Sequence, residues 1–433
     1  MKILNKIFLS IFLTLGLCAR VGASVTFTGS AKKIIQETPA NSTGLDAVYV
    51  CWGVSGISAS YNSTSGNQVK WMRFSSLGGG FAEDVKNIVI EGSTSTLPQI
   101  EANMGYIIED GTDREYFWIV DYLTAPLVLS GISFNPEEEC GTMTINVQGS
   151  GDELEYYTIN GQIKHLNREI ELHYNTLEWN EEGKVYQSSE VINNVENFKS
   201  SIALQAPLCN TVFSLKGDKF LREWGEEVFV ESDLFNTSAV EVKGYATQTN
   251  KLETEEGNEL GGSAPAIVNF EGYCTDAVVF KEWQIAKDQN FEDILYRFNE
   301  ENIEYTFNEA GAFYVRFYGA NASGGCDSFS DVFSINIEES KLECPNAFSP
   351  KSDVESSRIW RVKYKSLVEF KCHIFNRYGM EVFTYSDPAQ GWDGKHNGKY
   401  VKPGVYFYVI EAVGADGKEY KRKGDINIIN LKQ

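Results

Sequence analysis

Signatures of catalysis are scarce in this sequence of 433 residues. It has only 4 histidines, none in the His-Glu-x-x-His spacing that binds zinc: His165, His173, His373 and His396. There is no Gly-x-Ser-x-Gly motif, and no glycine-rich phosphate loop stands before a helix. Carboxylate pairs such as Glu109-Asp110 are common in so acidic a chain, which leaves a glycosidase-like pair open. The sequence therefore predicts no catalytic residue, no cofactor and no metal site.

Long apolar runs are equally scarce. The strongest run, residues 7–18, follows Lys2 and Lys6 and is succeeded by the small residues Val21-Gly22-Ala23. This layout is typical of a secretory signal peptide, and the run is too short for a membrane anchor. We predict a signal peptide over residues 1–23. No later segment is apolar for long enough to cross a bilayer, so the chain is not predicted to be an integral membrane protein.

Basic residues are in the minority. The chain has 38 Lys and Arg against 60 Asp and Glu, a net charge of −22, but from Glu343 onward 15 basic residues outnumber 11 acidic ones. An acidic body argues against a nucleic-acid partner, because phosphates attract Lys and Arg. Two interpretations stay open. Acidic charge keeps an extended array soluble, or a basic terminal module faces a different partner from the body.

Seven cysteines remain after the predicted cleavage, which fits an oxidising compartment. Sequence alone does not fix their connectivity. Pairing within each domain gives three candidate bridges and leaves Cys209 over. These bridges are Cys51–Cys140, Cys274–Cys326 and Cys344–Cys372. The alternative is that the cysteines are buried free thiols, which behave as small hydrophobic residues.

Short strands and turns dominate the chain. Residues 47–52, 68–74 and 116–122 are rich in Val, Tyr, Trp and Ile, as strands are. Within residues 116–122 the large side chains recur at every second position, so one sheet face should be aromatic. Asp110-Gly111 and Asn160-Gly161 are typical hairpin turns. The chain therefore predicts an all-β fold of tandem immunoglobulin-like β-sandwich domains.

Glycine-bearing and polar stretches suggest the domain boundaries. We expect an immunoglobulin-like β-sandwich at 24–149, a second β domain at 150–262, an immunoglobulin-like domain at 263–341 and a C-terminal β-sandwich at 342–433.

The third domain has the most legible pattern of the body. Trp283 lies between two cysteines, and Tyr305-Thr-Phe307 is followed by Gly311 and Phe313-Tyr-Val315. These residues resemble a PKD-type immunoglobulin-like domain, in which a buried Trp packs between two sheets beside a bridge. The resemblance covers about 80 residues and implies a fold rather than a function.

The last domain has its own strands and turns. Strands are expected at residues 359–364, 368–375, 381–385, 405–412 and 425–429. Residues 405–410 are apolar on both faces, so this strand should be central. Four sequence blocks punctuate the domain: Pro345-Asn-Ala-Phe-Ser-Pro350, Ile374-Phe-Asn-Arg-Tyr-Gly379, Gly391-Trp-Asp-Gly394 and Pro403-Gly-Val-Tyr406.

In order and spacing these blocks resemble the gliding-motility-associated C-terminal domain, the type B sorting domain of the type IX secretion system in Bacteroidota. The resemblance implies a β-sandwich that an outer-membrane translocon recognises, with the cargo released or held at the cell surface. The residues that match the family are Pro345, Asn346, Phe348, Pro350, Phe375, Asn376, Arg377, Gly379, Trp392, Asp393, Gly394, Gly404 and Tyr406.

One departure from the family concerns the stretch after the first block. The family usually has an aspartate- and glycine-rich turn there, whereas this chain has Asp353 and Glu355 and no glycine. Calcium needs several carboxylates and a tight turn, so no ion is predicted. Trp392, Asp393 and Arg377 are either translocon contacts or a core tryptophan with turn-fixing neighbours, and the second interpretation is favoured.

Two hypotheses of function follow. The favoured one is a non-enzymatic surface protein, adhesive or structural, which the C-terminal domain exports and displays and which binds a surface glycan or protein ligand. The alternative is a secreted hydrolase with its catalytic domain in residues 24–262. Both place the chain outside the cell or on its outer surface.

Overall fold

The computed structural model describes residues 25–66, 68–135, 140–251 and 259–429. The predicted signal peptide, residues 1–23, lies outside the described residues. Regular structure in the described part is almost wholly β, with a single α-helix, α1 (Lys219–Trp224). The strands form pairs of packed sheets, which confirms the predicted all-β fold of tandem immunoglobulin-like β-sandwiches.

The first sandwich contains ten strands. They are β1 (Thr26–Thr28), β2 (Ile35–Glu37), β3 (Ala47–Cys51), β4 (Ser58–Asn62), β5 (Lys70–Phe74), β6 (Glu83–Asp84), β7 (Val89–Glu91), β8 (Thr94–Leu97), β9 (Met104–Asp110) and β10 (Asp113–Asp121). One sheet has the order β1-β4-β8-β7 and the other β2-β3-β10-β9-β5-β6. β9 and β10 form the hairpin that Asp110-Gly111 predicts.

The six-stranded sheet is buried on both faces. Phe117 and Ile119 of β10 pack into the core of the first sandwich, whereas Trp118 and Val120 pack into the core of the second. Side chains alternate between the two faces of a strand, so a sheet covered on both sides needs a continuous apolar run. The aromatic face predicted for residues 116–122 is the face that the second sandwich covers.

The second sandwich contains nine strands. They are β11 (Val128–Phe134), β12 (Thr142–Ser150), β13 (Leu154–Tyr157), β14 (Ile163–Leu166), β15 (Ile170–Asn180), β16 (Val185–Val195), β17 (Ser201–Gln205), β18 (Ser214–Lys216) and β19 (Phe229–Glu231). The sheets are β11-β12-β17 and β16-β15-β18-β19, and β13 pairs with β14 in the hairpin predicted at Asn160-Gly161. The boundary predicted between residues 149 and 150 falls inside β12. Because β12 pairs with β17, it belongs to the second sandwich, and a division at 149 would cut a sheet.

A buried ion pair lies where the first two sandwiches meet. The side chains of Arg168 and Asp218 are 0% exposed, and Nη1 lies 2.6 Å from Oδ2. Tyr122 of the first sandwich donates its hydroxyl to the same carboxylate oxygen at 2.9 Å. Arg168 also donates to the carbonyl oxygens of Ala125 and Asp152. Buried charges are tolerated when they are paired in this way, so the network fixes the joint.

The third sandwich also contains nine strands. They are β20 (Val242–Gln248), β21 (Leu260–Gly262), β22 (Ala266–Cys274), β23 (Phe280–Ala286), β24 (Ile294–Phe298), β25 (Asn302–Phe307), β26 (Gly311–Ala320), β27 (Asp327–Phe329) and β28 (Phe333–Ile337). The sheet β20-β22-β25 packs on β21-β28-β26-β23-β24 around Trp283, whose ring centre lies 4.9 Å from that of Phe317. The predicted start at residue 263 is too late, because β20 pairs with β22 along its whole length.

One disulfide joins the second and third sandwiches. Cys140 bonds to Cys326, which lies between β26 and β27. The predicted bridges Cys51–Cys140 and Cys274–Cys326 are therefore wrong. Pairing within one domain fails because Cys51 points into the first core, whereas Cys140 lies at an end of the second sandwich that meets the third.

The β15–β16 hairpin makes a second contact at this joint. Trp179, near its tip, packs with its ring centre 5.3 Å from that of Tyr273 and donates Nε1 to the hydroxyl of Tyr245 at 3.2 Å. Lys184 Nζ lies 2.6 Å from a carboxylate oxygen of Glu271. The second and third sandwiches are thus held together by a covalent bond and by an aromatic contact.

The fourth sandwich contains nine strands. They are β29 (Lys341–Glu343), β30 (Ala347–Phe348), β31 (Lys363–Lys365), β32 (Leu367–Phe375), β33 (Glu381–Tyr385), β34 (Lys395–His396), β35 (Lys399–Tyr400), β36 (Gly404–Gly414) and β37 (Glu419–Ile428). The main sheet has the order β30-β37-β36-β32-β33, with β36 central as predicted. Residues 359–362 are not a strand. Instead Trp360 forms an isolated bridge with Trp392.

Backbone contacts hold the fourth sandwich to the third. Ser366 donates its N–H to the hydroxyl of Ser263 at 2.7 Å, and Ala310 donates its N–H to the carbonyl of Ala415 at 3.0 Å. The main core of the fourth sandwich nevertheless draws all its buried residues from 342–428. A core of its own is what an independent module needs.

Candidate functional site in the C-terminal domain

Three of the four sequence blocks of the last domain meet at one tryptophan. Trp392 is 0% exposed, and its ring centre lies 5.6 Å from that of Phe348 and 5.3 Å from that of Tyr406. Its Nε1 donates to the carbonyl of Lys395 at 2.9 Å. Trp392 is thus a core residue that joins three of the four blocks, rather than an exposed contact residue.

A second buried tryptophan positions the first block. Trp360 exchanges two backbone hydrogen bonds with Trp392, both 2.8 Å long, and its Nε1 donates to the carbonyl of Pro345 at 2.7 Å. The sequence does not single out Trp360 as a site residue, because it falls in a stretch that predicts an ordinary strand. Its spacing from the first block gave no signal, because the contact depends on the bridge to Trp392.

Turns at the third block rest on glycine and aspartate. Gly394 has φ +77°, and a Cβ there would lie 2.7 Å from Cγ of Pro350. Asp393 accepts a hydrogen bond from the N–H of Lys395 at 3.0 Å and fixes the turn. The conformation and the close approach both require glycine at position 394. Gly404 has open space around it.

The second block forms the turn between β32 and β33. Asn376 accepts hydrogen bonds on Oδ1 from the N–H groups of Tyr378 and Met380, at 2.9 and 3.1 Å. Gly379 provides the residue of positive φ in this turn, and Arg377 is exposed and lies against the Tyr378 ring. Of the three residues weighed as translocon contacts, Arg377 is exposed and the side chain of Asp393 is 44% exposed, whereas Trp392 is buried.

The outer face of the main sheet is apolar at its centre. Val405, Phe407 and Val409 of β36 are 41–45% exposed, and Phe375 of β32 lies opposite Phe407. The run was predicted to be central in the sheet because it is apolar on both faces, and β36 is central. In the structure only the inner face is covered, within the described residues.

A groove of about 1020 Å³ runs beside the first block. Its lining includes Pro345 and Phe348 of the first block together with Ile359 and Trp360. Asn346 is exposed, and its carbonyl accepts from the N–H of Asn427 in β37 at 2.9 Å. Motif residues therefore line this groove.

The two cysteines of the domain carry free thiols, so the predicted Cys344–Cys372 bridge is not formed. Burial raises the pKa of Cys372 to about 12, and burial likewise raises the pKa of Cys344. A thiol with a raised pKa is a poor nucleophile at neutral pH. Neither cysteine is therefore activated as a nucleophile.

Three of the histidines lie beside carboxylates, and His173 lies 3.0 Å from both Glu171 and Glu190. His165 lies 2.8 Å from Glu153, and His373 lies 2.6 Å from Glu381. Among the described residues no group of three or more His, Cys, Asp or Glu side chains is arranged to hold a metal ion. Nor does any helix in that part of the chain have the length and apolar character needed to cross a membrane.

Comparison with known families identifies two parts of the chain. Residues 342–428 match the CHU_C type IX secretion signal domain, and residues 133–232 match a fibronectin type III domain. The second match begins in β11 and ends after β19, so it spans the second sandwich. Both are non-catalytic kinds of domain. The PKD subtype of the third sandwich stays a prediction.

Comparison with solved structures finds distant likenesses. Dimeric latent PorU from Porphyromonas gingivalis is 11% identical, with a TM-score of 0.16, over 73% of this chain and 35% of that one. The chain thus spans about a third of the PorU chain. Sidekick-1 immunoglobulin domains 1-5 are 11% identical, with a TM-score of 0.24, over 86% of this chain and 77% of that one. No curated protein matches the sequence.

The order of the four blocks, and the convergence of three of them on Trp392, agree with the family match of the same residues. Residues 342–428 are therefore a type IX secretion signal domain, and the protein is exported to the cell surface or the extracellular space.

Proposed function

We propose that the chain is a structural and adhesive cell-surface protein. Its C-terminal domain engages an outer-membrane translocon, and the three preceding sandwiches form a stiff arm that binds a surface glycan or protein. The observation that carries the proposal is the type IX secretion signal domain at residues 342–428. The basic balance of that domain, beside an acidic body, supports separate partners for the two parts.

Stiffness of the arm is supported by its joints. The first joint shares a hydrophobic core and the buried pair Arg168–Asp218, and the second has the Cys140–Cys326 disulfide. Linkers between freely moving domains are usually polar and make few contacts across the boundary. Here each neighbouring pair of sandwiches is bonded through buried or covalent contacts.

Adhesion is supported by an exposed apolar turn in the first sandwich. Leu77 and Phe81 are 66% and 71% exposed. The glycines between them are held in place because Gly79 donates its N–H to the carbonyl of Ile159 at 2.7 Å. A fixed turn that presents a large apolar side chain loses little entropy on binding.

Export is tested by comparing the full chain with a chain that ends at residue 341. We expect the full chain at the cell surface or in the medium and the shortened chain retained in the periplasm. Residues 342–433 fused to an unrelated secreted carrier should direct that carrier to the same place, since the domain has its own core. Surface delivery of the shortened chain would contradict the proposal.

Adhesion is tested with the purified full chain on glycan and surface-protein arrays. The variant Leu77→Ser/Phe81→Ser should lose about tenfold or more in affinity for any ligand found, because buried aromatic anchors dominate interfaces. The matched control is Val279→Ser/Phe280→Ser in the third sandwich, where the two side chains are 57% and 56% exposed; this variant should keep the affinity of the parent chain. Hydrolysis of the ligand would instead support the enzyme hypothesis.

A further inference from the structure

The groove beside the first sequence block runs along an open sheet edge. β30 is the end strand of the main sheet and pairs only with β37. The hydrogen bonds to β37 involve Asn346 and Phe348, whose carbonyls accept from Asn427 and Ile429. Successive peptide groups of a strand point to opposite sides, so those of Ala347 point away from β37. Ala347 lines the groove.

Apolar side chains form much of the groove wall. Val354, Ile359 and Ile429 are 59%, 36% and 48% exposed, and buried Phe348 and Trp360 lie beneath them. Exposed apolar surface next to an open strand edge invites strand pairing, and natural proteins normally block such edges. In the described part of this domain no strand pairs with this edge of β30, but just beyond the strand the N–H of Ser349 donates to the carbonyl of Ser357 at 2.9 Å, so the edge groups left for a partner are those of Ala347.

Polar groups at the groove lack partners among the described residues. The hydroxyl of Ser349 is buried and accepts or donates no hydrogen bond there. Arg361 and Lys363 line the groove and enter none of the ion pairs of the described chain, whereas Glu355 is the one acidic residue of the lining. Positive charge at the groove therefore exceeds negative charge by one.

We propose that an extended segment of a secretion-machinery protein binds this groove by adding a strand to the open edge of β30. The segment carries apolar side chains for the groove wall and a carboxylate for Arg361 and Lys363. Strand addition supplies main-chain hydrogen bonds, and pockets for alternate side chains supply specificity. The inference rests on the proposed export function and assigns the recognition to one surface of the domain.

The first test removes the backbone donor that faces the groove. In the full chain, Ala347→Pro deletes that N–H and leaves the bonds of Asn346 and Phe348 to β37 in place, and proline is tolerated on edge strands. We expect at least about a fivefold fall in the fraction of chain at the cell surface, measured by surface biotinylation. Ala347→Val keeps the N–H and should be exported like the parent chain.

The second test reverses charge at the groove. Arg361→Glu/Lys363→Glu should lower surface delivery to a similar extent, whereas Lys421→Glu/Lys423→Glu on β37 makes the same change of charge elsewhere and should not. If Ala347→Pro lowers the thermal midpoint of the purified chain, the comparison of these two double variants tests the groove instead. Equal loss in both double variants would overturn the groove and point to overall charge.

The outcomes separate this inference from the proposed function. If the groove variants are exported normally while the chain ending at residue 341 is retained, the groove is wrong and sorting by the domain stands. If the shortened chain is exported, sorting itself fails. A groove variant that instead changes the oligomeric state of the full chain in light scattering would identify a second copy as the occupant, and would also overturn the proposal.

Discussion

Two glycines with the same backbone conformation allow a test at the scale of single residues. Gly394 and Gly398 both have φ +77°, but only at Gly394 would a Cβ meet neighbours, Pro350 at 2.7 Å and Phe348 at 3.3 Å. Gly398→Ala should cost about 1 kcal/mol from strain, and Gly394→Ala about 2–3 kcal/mol because packing must also shift. Chemical denaturation followed by the fluorescence of the fourth domain measures the difference. Equal costs would show that glycine is required at position 394 by backbone conformation alone.

Glu115 provides a second prediction at this scale, concerning pH. Burial raises the pKa of Glu115 to about 7, and the negative charge of Asp46 adds a smaller upward effect. The N–H of Val25 donates a hydrogen bond to Glu115, which lowers the pKa but does not offset the burial. The unfolded chain releases this proton near the ordinary pKa of glutamate, so the fold must retain it between that value and 7. Stability of the first sandwich therefore falls as pH rises through this window and levels off above 7.

Glu115→Gln should remove this dependence and stabilise the first sandwich at pH 8 by about 1–2 kcal/mol, a value discounted for partial exposure. Thermal denaturation between pH 5 and pH 8 measures the effect. Glu91→Gln removes the same charge from an exposed strand and should leave the pH profile as it is. A parallel shift of both variants would show that net charge, rather than burial of Glu115, sets the profile.

At the scale of elements, local sequence patterns predicted many of the strands and turns, whereas they predicted few of the contacts between sandwiches. Alternation and turn residues were sufficient for β9–β10, for the hairpin at Asn160-Gly161 and for the central position of β36. The start of the second sandwich was missed because glycines at 149 and 151 suggest a break, whereas pairing with β17 keeps β12 continuous through Ser150. The groove was missed because Trp360, which lines it, is positioned by an isolated bridge to Trp392. No sequence spacing reveals this contact.

The disulfide gives the prediction that belongs to this scale. Peptide mapping of the non-reduced protein should find Cys140 linked to Cys326, with Cys51 and Cys274 as thiols. Cys140→Ala/Cys326→Ala should cost about 2–4 kcal/mol, because the bridge closes a long loop in the unfolded chain. It should also speed proteolysis between the second and third sandwiches. Cys209→Ala removes a free thiol and should do neither, and a Cys51–Cys140 peptide would refute the assignment.

At the scale of the whole molecule, the shared core makes the first two sandwiches one folding unit, whereas the fourth has a core of its own. Asp218→Asn should therefore destabilise both of the first two sandwiches together, by about 3–5 kcal/mol, because it leaves the buried charge of Arg168 without its partner. In calorimetry one transition should move while that of the sorting domain stays in place. Asp84→Asn breaks an exposed pair with Lys70 and should cost less than about 1 kcal/mol. Separate transitions for the first and second sandwiches would mean that the two fold independently and that the arm bends at its first joint. The arm would then present its ligand-binding surface on loosely joined domains rather than on a rigid pair.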